Sequence, residues 1–169
     1  IESNFGLQNI DGLSSVSFAG DYVAVLNNLV LTDVNGLSGL AHVPNYLSLQ
    51  RNPSLTDITA LLGLINIGQN NAEKNVKNRL ARSLDRSTNS ISGLYVKDNE
   101  KLSDCESLSL LLGAPQGPPH DLVDGIIDIE SNQLGCSSID EVLEFSNYVE
   151  RQNFNHASTC KAELPRESL

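Results

Sequence analysis

Short alternations of apolar and polar residues recur along the chain, each ending in an asparagine, and their spacing sets the first expectation. Aligned on Asn4, Asn28, Asn52, Asn99 and Asn132, the chain repeats at intervals of 24, 24, 47 and 33 residues. Five and three positions ahead of the asparagine stand Val23 and Val25, Leu47 and Leu49, Leu94 and Val96, Ile127 and Ile129. Successive side chains of a strand point to opposite faces, so the pattern predicts one short strand per repeat with one face buried. Three, six and nine positions after the asparagine come Leu31, Val34 and Leu37, then Leu55, Ile58 and Leu61, then Leu102, Cys105 and Leu108, which turn a second side inward. Between them Asn9, Asp33, Asp57 and Asp104 have side chains that bond nearby backbone amides, the chemistry of turns. Gly12, Gly36 and Gly39 suit tight corners.

A 24-residue window cannot cover its own apolar side chains, whereas stacked windows cover one another and pair their strands in parallel. The pattern therefore predicts a single repeat-solenoid domain over 1–169, mainly β with short helices. Residues 1–67 read as regular coils, 68–91 as a degenerate coil, and 92–143 as further coils with a loop insertion at 114–124. The 47-residue interval is close to two repeats, which places a degenerate register near position 75 and brings the total to about five to six coils. The asparagine and aspartate rows are expected to be scaffold, bonding backbone groups of their own and the next coil.

The strings YVAVLNNLVLTDVNGL, YLSLQRNPSLTDITAL and GLYVKDNEKLSDCESL resemble the receptor L-domain-like repeats, leucine-rich relatives found in insulin-receptor-type ectodomains and bacterial surface proteins. The resemblance spans roughly 1–67 and 92–143. It implies a leucine-rich-repeat-like, right-handed β-helix with a parallel sheet on each flat side, and a non-catalytic part in binding proteins or glycans or in spacing them. The stretch from Asp104 to Leu143 resembles the closing segment of secreted bacterial members, with one cysteine in each of the last two coils. That implies a Cys105–Cys136 disulfide, with Cys136–Cys160 and free thiols as alternatives, and an oxidised pair implies a place outside the cytoplasm.

Three segments depart from the repeat. Ala72 to Asp85 reads as an amphipathic helix with Val76, Leu80 and Leu84 on one face, and around it cluster Lys74, Lys77, Arg79, Arg82 and Arg86. These basic residues are a solvated face or a dock for an acidic partner, including another copy of the chain. Ala114 to Asp124, with Pro115, Gly117, Pro118 and Pro119, reads as a projecting loop. Residues 137–159 read as a C-terminal capping helix, with Ser137 or Ser138 as N-cap and Glu141 placed for a capping box.

Composition narrows the function classes. With no Trp, no Met and 5% aromatic residues, the core must be Leu, Ile and Val. A formal charge of −10 disfavours nucleic acid and anionic lipid. No run approaches the ~20 apolar residues of a membrane span, so no membrane insertion is expected. Ile1 already reads as mid-strand, so the chain is expected to be a piece of something longer. Three cysteines and the isolated His42, His120 and His156 give no zinc spacing, and no cofactor motif is present.

Asp121, Asp124, Asp128 and Glu130 form a weak calcium candidate. The outward pair Asp128 and Glu130, ~7 Å apart along a strand, is the one carboxylate pair on the predicted sheet face and weak evidence for a carbohydrate-active enzyme. Enzymatic activity is not expected. The leading expectation is an extracellular or cell-surface recognition module that binds a protein or glycan through Tyr22, Tyr46, Ser48, Gln50, Tyr95 and Lys97 on its exposed sheet. The alternative is a structural subunit or spacer of a surface appendage or self-assembling filament.

Overall fold

The structure is a computed structural model that describes residues 1–68, 92–109, 111–112, 123 and 125–144. Its strands are β1 (Val23–Leu26), β2 (His42–Val43), β3 (Tyr46–Gln50), β4 (Asn66–Ile67), β5 (Gly93–Lys97) and β6 (Ile126–Glu130). They form a four-stranded sheet in the order β1-β3-β5-β6 and a two-stranded sheet of β2 and β4. All pairings are parallel. Among the described residues helical structure is short: three 3-10 turns (Asp11–Leu13, Asn35–Leu37, Thr59–Gly63), α1 (Glu106–Ser109) and a helix at 139–144.

These elements correct the expected fold class. The described residues do not form a right-handed β-helix of five to six coils with a sheet on each flat side; they form one small parallel sheet and a second of two short strands. Two physical causes account for the difference. First, β3 pairs directly with β5, Tyr46 opposite Gly93 and Gln50 opposite Lys97, so no strand from the 47-residue interval enters the sheet between them. The degenerate coil expected near position 75 therefore has no place in the ladder. Second, the plus-five side chains bend the chain instead of letting it extend. The Asn9, Asp33, Asp57 and Asp104 Oδ1 atoms each accept the N–H two residues on, at 3.3, 3.1, 2.8 and 3.0 Å. Turns and 3-10 helices follow where a second broad sheet was expected.

Within the four-stranded sheet the inward positions lie in register. Val25, Leu49, Val96 and Ile129 are successive partners and all are buried. Leu31, Leu55 and Leu102 at plus three, with Val34, Ile58 and Cys105 at plus six, complete one aliphatic core cluster. Gly36 sits where an added Cβ would lie 1.8 Å from the Ile10 carbonyl oxygen, so close approach requires glycine there; Gly12 has open space.

The asparagine row forms a hydrogen-bonded ladder. The backbone N–H groups of Asn4, Asn28, Asn52 and Asn99 donate to the Oδ1 of Asn28, Asn52, Asn99 and Asn132 at 3.1, 3.0, 3.1 and 3.0 Å. The Nδ2 groups donate to backbone carbonyls as well: Asn52 to Val25 and Gln50, Asn99 to Leu49, Asn132 to Val96 and, beyond the strand, Cys136. The residue before each rung, Ser3, Asn27, Arg51, Asp98 and Ser131, has φ between 55° and 58°. That left-handed kink ends the strand and turns the carboxamide inward, at a steric cost of roughly 1–2 kcal/mol per non-glycine residue, which the ladder's bonds offset.

At the far end, Glu141 Oε2 accepts the N–H groups of Gly135 and Ser137, both at 2.9 Å, while its own N–H donates to Ser138 Oγ at 3.2 Å. Ser138 thus caps the 139–144 helix, and the continuation of the expected cap to 159 lies outside the described residues.

Candidate functional site

The outer face of the four-stranded sheet gathers the sequence-predicted contact residues. Alternation sends Leu47, Leu49, Leu94 and Val96 into the core, so Tyr46, Ser48, Gln50, Tyr95 and Lys97 project from the opposite side of β3 and β5. Tyr22 stacks on Tyr46 with ring centroids 4.6 Å apart and planes 9° from parallel. Tyr95 meets Tyr46 at 6.3 Å and 85°. The position level with Tyr22 and Tyr46 on β5 is Gly93, so Tyr95 reaches the row from two residues further along. Gly93 has φ +146°, and a Cβ there would lie 2.0 Å from the Ile126 carbonyl oxygen. The gap in the outer row is therefore fixed by the backbone.

Beside the aromatic row lies a charged group. Lys97 Nζ sits 2.6 Å from Glu130 Oε1 and 2.9 Å from Asp128 Oδ2, and these hydrogen bonds, Glu130 first, hold its ammonium well above the ordinary lysine range. Burial raises the Tyr95 phenol above its usual pKa, and the Asp128 carboxylate adds to the effect. Burial also raises that of Tyr46, followed by the influence of Tyr22 and Asp21. Asp21 is itself held by the Asn45 carboxamide. Ser48 is only 4% exposed despite its outward position and accepts a hydrogen bond from Gln50 Nε2 at 2.7 Å. Of the predicted polar contacts, then, Ser48 is withdrawn, whereas Gln50 stays half-buried at the surface.

The other candidates separate into placed and unplaced. Cys105 and Cys136 form a disulfide with Cα atoms 5.4 Å apart, joining the last two repeats, and Cys160 lies outside the described residues. Asp128 and Glu130 are engaged by Lys97, while Asp121 and Asp124 lie outside the described residues. Among the described residues no group of three or more His, Cys, Asp or Glu could hold a metal. Lys74, Lys77, Arg79, Arg82 and Arg86, most of the 114–124 loop, His120 and His156 also lie outside the described residues. Among the described residues no helix is long and apolar enough to cross a membrane.

Sequence reasoning missed two features of the site. The clamp on Lys97 went unread although the asparagine alignment sets Lys97 level with Glu130, each two positions ahead of its asparagine. The gap at Gly93 did leave a signal: six positions before the asparagine stand Tyr22, Tyr46, Gly93 and Ile126, a row interrupted by a glycine. Compared with protein-family models, curated proteins and solved structures, the chain matches none.

Proposed function

We propose that the chain is a non-enzymatic recognition module, working outside the cytoplasm, whose outer sheet face receives a partner protein. The observation that carries this reading is the tyrosine row. Three tyrosines lie side by side on one face, with Tyr22 still 50% exposed and Ile126, 56% exposed, close by. Rigid aromatic rings with polar tips provide contact area at little entropic cost, which is why tyrosine is enriched in binding surfaces. Tyr46 has a ring on either side, so the row offers ring edges more than a flat open ring for a sugar to stack on. That arrangement favours protein over glycan. The Cys105–Cys136 disulfide supports an oxidising compartment, and the strings that resemble receptor L-domain-like repeats support the recognition class.

A phage-displayed peptide library and a printed glycan array, screened in parallel against the chain, test the reading. The expected result is enrichment of peptide ligands whose affinity falls at least ten-fold in Tyr46→Ser or Tyr95→Ser while the thermal melt stays cooperative. Ligands indifferent to both substitutions, or binding confined to glycans, would overturn it.

A further inference from the structure

Tyr22 precedes β1 and Tyr46 opens β3, and the register of those strands sets the two residues level on the outer face. Their rings lie face to face, with centroids 4.6 Å apart and planes 9° from parallel. Beyond burial, the Tyr46 phenol is influenced by Tyr22 through charge and through a side-chain hydrogen bond, so the two hydroxyls stand at the same end of the stack. That alignment also brings together the ring carbons ortho to each hydroxyl. Tyr22 remains 50% exposed, whereas Tyr46 is half-buried between its neighbours. Tyr95 approaches Tyr46 edge-on at 6.3 Å and 85°, with its hydroxyl withdrawn from water.

A phenol that loses one electron and one proton becomes a phenoxyl radical, whose unpaired spin is concentrated on the oxygen and on the ortho and para carbons. Two such radicals couple through their ortho carbons when they are held in contact, and in free solution their meeting is the limiting event. Here the fold has already arranged the meeting. The centroid separation is little more than that of two directly bonded rings, so coupling asks the rings to tip from face-to-face toward edge-to-edge. That movement is a turn about the soft terminal torsion of the tyrosine side chain, and Tyr22, half in solvent, has room to make it.

We propose that Tyr22 and Tyr46 form a site of oxidative cross-linking, joined by a carbon–carbon bond between their ortho carbons under a haem peroxidase that uses hydrogen peroxide. The exposed Tyr22 gives up the first electron and proton. Its radical takes a hydrogen atom from the adjoining Tyr46 hydroxyl, and Tyr22 is then oxidised a second time. The two radicals couple, and the hydrogen left on each joined carbon moves back to the phenoxyl oxygen. The rings lose two hydrogen atoms in total, and one hydrogen peroxide is reduced to two waters. The product ties the segment entering β1 to the start of β3, as the Cys105–Cys136 disulfide ties the last two repeats. The site stands whether or not the same face receives a partner.

The full chain, kept dilute, is treated with peroxidase and hydrogen peroxide and followed by the blue fluorescence of dityrosine, by denaturing gel and by mass. The monomer is expected to gain that fluorescence and to become two hydrogens lighter. A protease that cuts before aspartate releases residues 21–32 and 33–56, each with one tyrosine, and these two peptides are expected to emerge joined. Tyr22→Phe and Tyr46→Phe keep the rings packed but cannot form the radical, and each is expected to cut the monomer's fluorescence at least ten-fold. Tyr95→Phe is expected to change it less than two-fold. A monomer left dark, fluorescence confined to covalent dimers, or a signal that persists in Tyr46→Phe overturns the proposal. So does a map that joins either peptide to one holding Tyr95 or Tyr148.

Discussion

Asn52 and Asn66 are both asparagines withdrawn from water, at 0% and 7% exposure, yet their circumstances are opposite. The Asn52 carboxamide accepts the Asn28 N–H and donates to the Val25 and Gln50 carbonyls. Among the described residues the Oδ1 of Asn66 has no partner, nor has the Nδ1 of His42, its neighbour across β2 and β4. Location relative to the strand end explains the contrast. Asn52 follows a left-handed residue, Arg51, where the sheet ladder stops and leaves backbone donors and acceptors for a side chain to collect. Asn66 lies within β4, where no kink breaks the backbone and no donor among the described residues reaches its oxygen. A buried amide therefore stabilises this sheet where the backbone is irregular and not where it is regular.

Replacing Asn52 with Ala should give the largest effect. It strands the Asn28 N–H and removes the side-chain donor to the Val25 carbonyl, while the Gln50 carbonyl keeps the Asn27 N–H, and a loss of about 4 kcal/mol is expected from three or more buried bonds at ~1–1.5 kcal/mol each, measured by urea unfolding. A loss under 1 kcal/mol would remove the distinction between the two asparagines. Next comes the covalent tie at the ladder's last rung. Asn132 donates to the Cys136 carbonyl, and replacing Cys105 and Cys136 together with Ala should lower stability by about 3 kcal/mol for a loop of this length, read from the same denaturation curves.

Asn66→Leu sharpens the contrast from the other side. With no bond at Oδ1 to lose, stability should change by less than about 1 kcal/mol in either direction, and a drop matching that of Asn52 would break the comparison. Arg51→Gly relieves the left-handed strain and leaves only an exposed contact to Asp98 unmade, so a gain of about 0.5 kcal/mol is expected in thermal unfolding. The smallest effect is on pH. Tyr46 and Tyr95 have folded-state pKa values raised above the unfolded one, so between the two the unfolded chain binds fewer protons. Their contribution is complete below about pH 10 and declines as pH rises through the folded values; absorbance at 295 nm should show both titrating late.

The apolar rows were legible because burial follows strand and turn periodicity: Val25, Leu49, Val96 and Ile129 could be placed in one file from spacing alone. The architecture was not. An interval of 47 residues reads as two repeats if spacing is the guide, but only the pairing of Tyr46 with Gly93 reveals that it makes one step in the sheet. Equally, Asp33 and Asp57 announced turns, yet their side chains alone did not disclose that turns would replace a second wide sheet. On the outer sheet face the tyrosines were visible as residues, whereas the Ile126 carbonyl that forbids a side chain at Gly93 was not. The residues that kink before each rung share no chemistry: serine, asparagine, arginine and aspartate all occur there, so composition carried no sign of the kink.

The asparagine ladder also gives the protein a unit of length. Because Asn28 and Asn52 occupy equivalent rungs 24 residues apart, excising residues 28–51 sets Asn52 directly after Asn27, restoring a kink followed by a rung. Removing one residue more or fewer puts the wrong side chain at the rung behind the kink. Evolution or a protein engineer can thus shorten this part of the chain by a whole rung, while the 47- and 33-residue intervals show that the connection between two rungs can also be lengthened.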